Sequence, residues 1–187
     1  MRKLSLDELG RKSVEEFKQS GKMPLVVVLD NVRSQHNIGS VFRTCDAFLI
    51  EAIYLCGISA TPPNKEIHKT ALGAENSVEW KYFESGLQAV EHLKNNGYIL
   101  LGVEQTQNSV SLEQFIIEPE KRYALIFGNE VHGINQEVID RCEGCIEIPQ
   151  FGTKHSFNVS VSAGIVLWEW YRQSDLHKCY YGDIFFF

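Results

Sequence analysis

Six short, mostly apolar runs punctuate the chain, at residues 25–29, 52–56, 78–82, 98–103, 123–127 and 145–148. They are too short for helices and lack a strict polar/apolar alternation, so they predict strands that are apolar on both faces. Between them the apolar positions recur at helical spacing, which predicts helices over 38–49, 67–72, 86–94, 136–141 and 158–173. A further helix is expected over 5–20, with Leu6, Leu9, Val14 and Phe17 on one face, Ser5 or Asp7 as its cap and Gly21 as its stop. Alternating short buried strands and helices predict an α/β fold, a mostly parallel sheet flanked by helices. No Pro/Gly/Ser-rich linker, repeat or low-complexity tract divides the chain. The expected organisation is a helical N-terminal extension (1–23), one main domain (24–175) and a C-terminal tail (176–187).

Ligands in such sheets sit beyond the carboxyl ends of the strands, and three strand ends carry the chemistry. After 25–29 comes a helix with Ile38, Val41, Phe42, Cys45, Phe48 and Leu49 on one stripe, and Ser40, Arg43 and Ala47 on the other side. If that other side is also covered, the Arg43 cation needs an anionic or polar partner. After 123–127 comes Gly128-x-Glu130-x-x-Gly133, a turn in which glycine permits close backbone approach; an ordinary loop with one solvated glutamate reads the same way. After 145–148 come Ser156 and Asn158, before the most apolar helix of the chain. Either would cap that helix, and the same groups suit a substrate hydroxyl or phosphate. The helix itself is apolar or small nearly all round. Ser160 and Gly164 share a face that suits close packing, either within the domain or at a subunit interface.

Composition narrows the function classes. Of 187 residues, 44% are hydrophobic and 22% charged, ordinary globular values, and the net charge is −6. That sign counts against a large basic surface for sequence-blind nucleic-acid binding. It leaves room for small clusters, here Arg2, Lys3, Arg11 and Lys12, and Arg33, His36 and Arg43. Five cysteines, an odd number, argue against a disulfide framework, and the lone Cys142-x-x-Cys145 reads as structural thiols before metal or redox ligands. The six histidines lack i,i+4 spacing, so no metal is expected. There is no G-x-S-x-G elbow, no dinucleotide fingerprint and no Walker A loop, which disfavours a nucleotide-dependent α/β enzyme. With no apolar signal core and no membrane-length run, the chain is expected to be soluble and cytoplasmic, with no membrane partner.

Taken together, the three segments resemble the signature motifs of the SPOUT superfamily, in its TrmH (SpoU) branch of RNA ribose methyltransferases. Asn37-Ile-Gly-Ser-Val-Phe-Arg43-Thr-Cys-Asp46-Ala-Phe48 is similar to motif one. Leu125-Ile-Phe-Gly128-Asn-Glu130-Val-His-Gly133 is similar to motif two. Ile148-Pro149-Gln-Phe-Gly152, with Ser156-Phe-Asn158 and the residues up to Gly164, is similar to motif three. Ala71-Leu-Gly-Ala-Glu75 and Gly102-Val-Glu-Gln-Thr106 also fit, and the resemblance covers residues 24–171. It implies a deep trefoil knot in the C-terminal part of the sheet, which periodicity alone would not suggest. It implies S-adenosylmethionine as cofactor, with contacts at Val103, Glu104, Gly128, Ile148 and Phe157. It also implies a homodimer, packed partly through the motif-one and final helices, and methyl transfer to a ribose 2′-hydroxyl in RNA.

The family's catalytic set maps onto Arg43, Asn37, Glu130, Ser156 and Asn158, all present here, with no metal. The family proposal makes the arginine a general base, yet a guanidinium has a pKa above ~12. Stabilising the developing alkoxide and positioning phosphate is the alternative. Phe48-Leu49-Ile50 departs from the usual phenylalanine-glycine-valine. With only a short segment before the core, RNA selection is expected from that segment, the dimer surface or a partner. A tRNA substrate is expected ahead of rRNA, with the same chemistry on 23S rRNA, or a non-catalytic RNA-binding homologue, as the alternatives.

Overall fold

A computed structural model describes residues 1–5 and 7–174. Its elements in chain order are α1 (Val14–Gln19), β1 (Met23–Asp30), α2 (Gln35–Ala47), β2 (Ile50–Cys56), α3 (Lys65–Ala71), β3 (Glu79–Phe83), α4 (Gly86–Asn95), β4 (Tyr98–Val103), β5 (Val110–Ser111), β6 (Arg122–Phe127), α5 (Gln136–Ile139), β7 (Gly144–Glu147) and α6 (Val159–Gln173). The strands form one sheet in the order β3-β2-β1-β6-β4-β7-β5. Every pairing in it is parallel.

β1 shows why the predicted runs were apolar on both faces. Leu25, Val27 and Leu29 point into a core shared with Val41, Phe42 and Cys45 of α2 and with Val166 and Leu167 of α6. Val26 and Val28 point into the opposite core, with Ala89, Val90 and Leu93 of α4 and Val138 of α5. The sheet is therefore sandwiched between two helical layers, the arrangement that alternation of strand and helix predicts. Val27, Val28 and Leu29 are fully buried, and full burial of such a side chain is worth ~1.5–3 kcal/mol. β1 and β6 are neighbours although far apart in sequence. The chain winds outward from β1 to β2 and β3, then returns to build the other half, so the loops at their carboxyl ends diverge and leave a crevice.

Several expectations are corrected. The single helix over 5–20 is instead a 3-10 turn (Asp7–Leu9) and the short α1. Gly10, at φ +55°, separates them, and the gap from Leu9 to Val14 already breaks helical spacing. Ser13, not Ser5 or Asp7, caps α1 in a reciprocal capping box with Glu16, and the helix ends at Ser20. Residue 23, counted with the extension, opens β1. β3 is an edge strand with Glu79, Lys81 and Tyr82 exposed, so it is not apolar on both faces. The two-residue β5 was not predicted. The tail at 176–187, with Cys179, lies outside the described residues.

Leu49 occupies the place where the family pattern has glycine, and it sits at φ +53°. A non-glycine residue there costs roughly 1–2 kcal/mol, set against its packing on the core. The four described cysteines are free thiols. Burial, with Cys145 and Glu143 nearby, pushes Cys142 up to about 12, and burial also raises Cys145. Both are therefore protonated at neutral pH, and the Cys142 thiol donates to the Val138 carbonyl at 3.3 Å. No described helix is long and apolar enough to cross a membrane.

The α2–α3 contact is built on Gly39. A Cβ there would lie 2.1 Å from Thr70 Oγ1 and 2.3 Å from the Ile67 carbonyl oxygen. Glycine to alanine in a helix interior ordinarily gains up to ~1 kcal/mol. Here Gly39→Ala is expected to lose ~1–3 kcal/mol by overpacking, measured by denaturant unfolding. Equal or greater stability would mean the two helices separate at no cost.

Candidate active site

The loop after β6 closes on itself. The N–H of Asn129 donates to the Gly133 carbonyl at 3.0 Å, and the N–H of Gly133 returns to the Asn129 carbonyl at 2.9 Å. Inside the turn, Asn129 Oδ1 accepts from the N–H groups of Val131 and His132 at 2.9 and 3.2 Å. Gly133 has φ +67°, and a Cβ there would meet the Glu104 carboxylate at 2.3 Å. Glycine is thus needed both for the backbone angle and for the approach of Glu104. Glu104 itself accepts from the N–H of Ile134 at 3.2 Å and of Gln105 at 3.0 Å, joining the end of β4 to this loop.

The closed loop presents Glu130 to the start of α2. Its carboxylate accepts the N–H of Arg33 and the N–H of Ser34, both at 3.0 Å, and the Asn37 amide at 3.2 Å. Ser34 caps α2, so the carboxylate sits at the positive end of that helix. Partial burial opposes the charge, but the N–H groups of Arg33 and Ser34 and the Asn37 amide outweigh it and hold Glu130 below its ordinary range. Asn37 also receives the Asn158 amide on its Oδ1 at 3.1 Å. Asn158 is the N-cap of α6, its Oδ1 accepting from the N–H of Ser160 at 2.9 Å. One hydrogen-bonded line therefore runs Asn158–Asn37–Glu130 and joins all three strand ends.

Beside that line lies a cleft of about 660 Å³, the size of sites that take a small-molecule cofactor. Val103, Glu104, Gly128, Ile148 and Phe157 all line it, as do Glu130, Ser156 and Asn158. Asn37 reaches it through Asn158 and Glu130. Arg43 does not line it. It lies on the same helix as Asn37 but roughly 120° around the axis, exposed, and makes no hydrogen bond or ion pair among the described residues. The covered setting that would have demanded a protein partner is not found. Ser156 is exposed and does not cap α6. Among the described residues, no group of three or more His, Cys, Asp or Glu could hold a metal ion.

Sequence reasoning missed three residues behind the site. Asp30, at the end of β1, is 1% exposed. Burial raises its carboxyl, and bonds from the Asn31 side chain and the N–H groups of Asn135 and Gly86 offset this only in part. Its Oδ2 has no hydrogen-bond partner. Asn31 sits at φ +57°, donates to Asp30 Oδ1 at 2.8 Å and accepts from the N–H of Ile58 at 3.3 Å. Its own carbonyl accepts the Asn129 amide at 2.8 Å. The end of β1 thereby anchors the loop that carries Glu130. The signal available in the sequence was Asp-Asn directly after a buried strand, since asparagine tolerates the left-handed region.

The SpoU rRNA Methylase family profile matches residues 24–168. The TrmH/SpoU tRNA modifying enzyme of Aquifex aeolicus superposes with a TM-score of 0.77 at 28% identity, over 90% of this chain and 83% of that one. An AdoMet-bound rRNA methyltransferase from Sinorhizobium meliloti superposes with a TM-score of 0.71 at 26% identity, over 87% of this chain and 61% of that one. The 23S rRNA (guanosine-2′-O-)-methyltransferase RlmB of Neisseria meningitidis is 31% identical over 150 residues, 80% of this chain and 59% of the relative. The chain spans less than two thirds of the last two. Since that profile takes in the sheet from residue 24 onward and the three joined loops, the chain belongs to the SpoU rRNA Methylase family.

Proposed function

We propose that this chain transfers a methyl group from S-adenosylmethionine to a ribose 2′-hydroxyl of RNA. The observation that carries the reading is the Asn158–Asn37–Glu130 line beside the cleft, with the Arg43 guanidinium left without a protein partner. The cleft residues fit the cofactor. Gly128 and Gly133 let the loop after β6 close tightly at the cleft, since a Cβ at Gly128 would lie 2.2 Å from the Gly133 carbonyl carbon, and Val103, Ile148 and Phe157 add apolar surface. Bound there, S-adenosylmethionine supplies an electrophilic methyl group. The AdoMet-bound relative supports the same assignment.

The residues of this chain then divide the work. Glu130 is saturated by hydrogen bonds and its carboxyl is held low, so it is a poor base and acts by positioning. Asn37 and Asn158 fix the wall against which the ribose rests, and Ser156, exposed at the rim, is free to bond a substrate hydroxyl. Arg43 lies outside the cleft of its own chain, so in this reading the cleft is shared across a dimer, where its cation meets the oxygen as it develops charge or the phosphate beside it. The proton leaves to solvent or to that phosphate.

Three finer points belong to the same proposal. The knot is supported by the strand order, in which β6 and β7 straddle β4. The segment between β7 and α6 also shares a cleft with the loop after β6, and the Gln105 amide, in the loop after β4, donates to the His155 carbonyl of that segment at 3.2 Å. A homodimer through α6 is supported by its uncovered apolar stripe of Val161, Ile165 and Trp168, 49, 36 and 50% exposed. For a tRNA substrate ahead of rRNA, the support is the likeness to the tRNA modifying enzyme of Aquifex aeolicus, at a TM-score of 0.77.

Three experiments follow. Tritiated methyl transfer to tRNA and rRNA pools, with nuclease mapping, should mark a 2′-oxygen in the tRNA pool. Arg43→Ala should lower turnover ~10²-fold or more with cofactor affinity unchanged by calorimetry. Equal loss of both would remove Arg43 from catalysis, and no transfer to either pool would remove the activity. Val161→Glu should convert a dimer to a monomer in sedimentation. A wild-type chain that sediments as a monomer would reject the dimer.

A further inference from the structure

The arginines fall into two groups. Arg2, Arg122, Arg141 and Arg172 each pair with a glutamate at 2.5–2.9 Å. Arg11, Arg33 and Arg43 make no ion pair among the described residues, although the chain has 24 acidic and 18 basic residues. Arg11 still faces Asp46, whose carboxyl it acts to lower. Arg33 and Arg43 do not have even that, and both lie on the segment that runs from the end of β1 through α2.

Arg33 is held more firmly than an ordinary surface arginine. It directly precedes the α2 cap Ser34, and its own N–H is bound by Glu130 Oε2 at 3.0 Å. Its main chain is therefore pinned to the cleft wall while its side chain stays exposed. The carboxylate that holds its main chain, Glu130, is engaged by two backbone N–H groups and Asn37 and makes no bond to the guanidinium. A cation is thus carried on a main chain held to Glu130, a cleft residue, with no ion pair among the described residues, on an acidic protein. Arg43 lies eight residues beyond Gln35, a rise of ~12 Å along α2, while Arg33 lies before the cap at its start. A planar guanidinium fork suits phosphate, and two forks spaced along and just before one helix suit a polyanion with repeating phosphates.

We propose that Arg33 is a second phosphate-binding residue. It takes a backbone phosphate of the substrate RNA a few nucleotides from the one at Arg43, and so lays the strand across the mouth of the cleft. This rests on the reading of the substrate as RNA. It also answers how an acidic chain holds RNA: with a short line of unpaired arginines rather than a broad basic face.

The test is tRNA binding to the full-length wild-type, Arg33→Gln and Arg33→Lys proteins across a salt series, with S-adenosylmethionine affinity and melting temperature measured in parallel. Each phosphate contact contributes about 0.7–0.9 to the slope of log affinity against log salt. Arg33→Gln should bind tRNA several-fold more weakly and flatten the slope by about that amount, with cofactor affinity and melting unchanged. Arg33→Lys should keep the slope and lose only part of the affinity. A wild-type protein that binds and methylates RNA, beside an Arg33→Gln slope identical to it, overturns this assignment alone. A wild-type protein that neither binds nor methylates RNA removes the parent reading and this one together.

Discussion

The site depends on one carboxylate. Glu130 leaves the β6 loop and ends at the amino terminus of α2, where it accepts two backbone N–H groups and one amide. Four N–H groups at a helix start have no intrahelical acceptor, and the helix dipole favours a negative charge there. Glu130 meets both demands from outside the helix. That sets the distance between two loops whose strands, β1 and β6, pair only as far as Leu29 and Phe127. Asn37, held on one side by Glu130, is then in place to accept Asn158, and the third loop falls into line.

The sheet makes this possible by placing the loops correctly before any polar contact forms. β1 and β6 are paired along five residues, and β4 is paired to β6 and β7. The four strand ends therefore converge, with two cores behind them that leave little freedom. Polar side chains refine what the packing has brought close. Asp30 is the opposite case. Its buried carboxyl is only partly satisfied, a cost accepted where it holds the Asn31 side chain and, through Asn31, the Asn129 amide. Arg43 and Arg33 are the complement of this order. They sit on the segment that Glu130 holds, and no group among the described residues forms an ion pair with them.

The parallel α/β architecture was legible because buried strands and amphipathic helices leave different periods, and both periods were strong. β1, β4 and β6 were found because two covered faces demand unbroken apolar runs. The weak elements were those with little burial to record: α1, whose break at Gly10 came from one backbone angle; β3, whose outer edge is solvated; and β5, two residues long. In the site, glycines and capping residues pointed to the right loops. The Asn31 and Asn129 contacts were hidden because each depends on a left-handed or closed backbone, which only the folded chain defines. The condition under which Arg43 would need a protein partner is not met, because α2 packs on α3 and α6 with its other flanks and leaves Arg43 exposed.

The central claim is that ionised Glu130 holds the three loops together. Because its folded pKa is lowered, its stabilisation should be complete above the ordinary glutamate value of ~4.3 and should fade as pH falls through the depressed value. The direct measurement is the melting temperature of wild-type and Glu130→Gln proteins from neutral pH down to the acid limit of folding. Glu130→Gln should melt a few degrees lower at neutral pH, and the gap should close on acidification below the ordinary glutamate range. No gap at neutral pH, or a gap that ignores pH, would contradict the account.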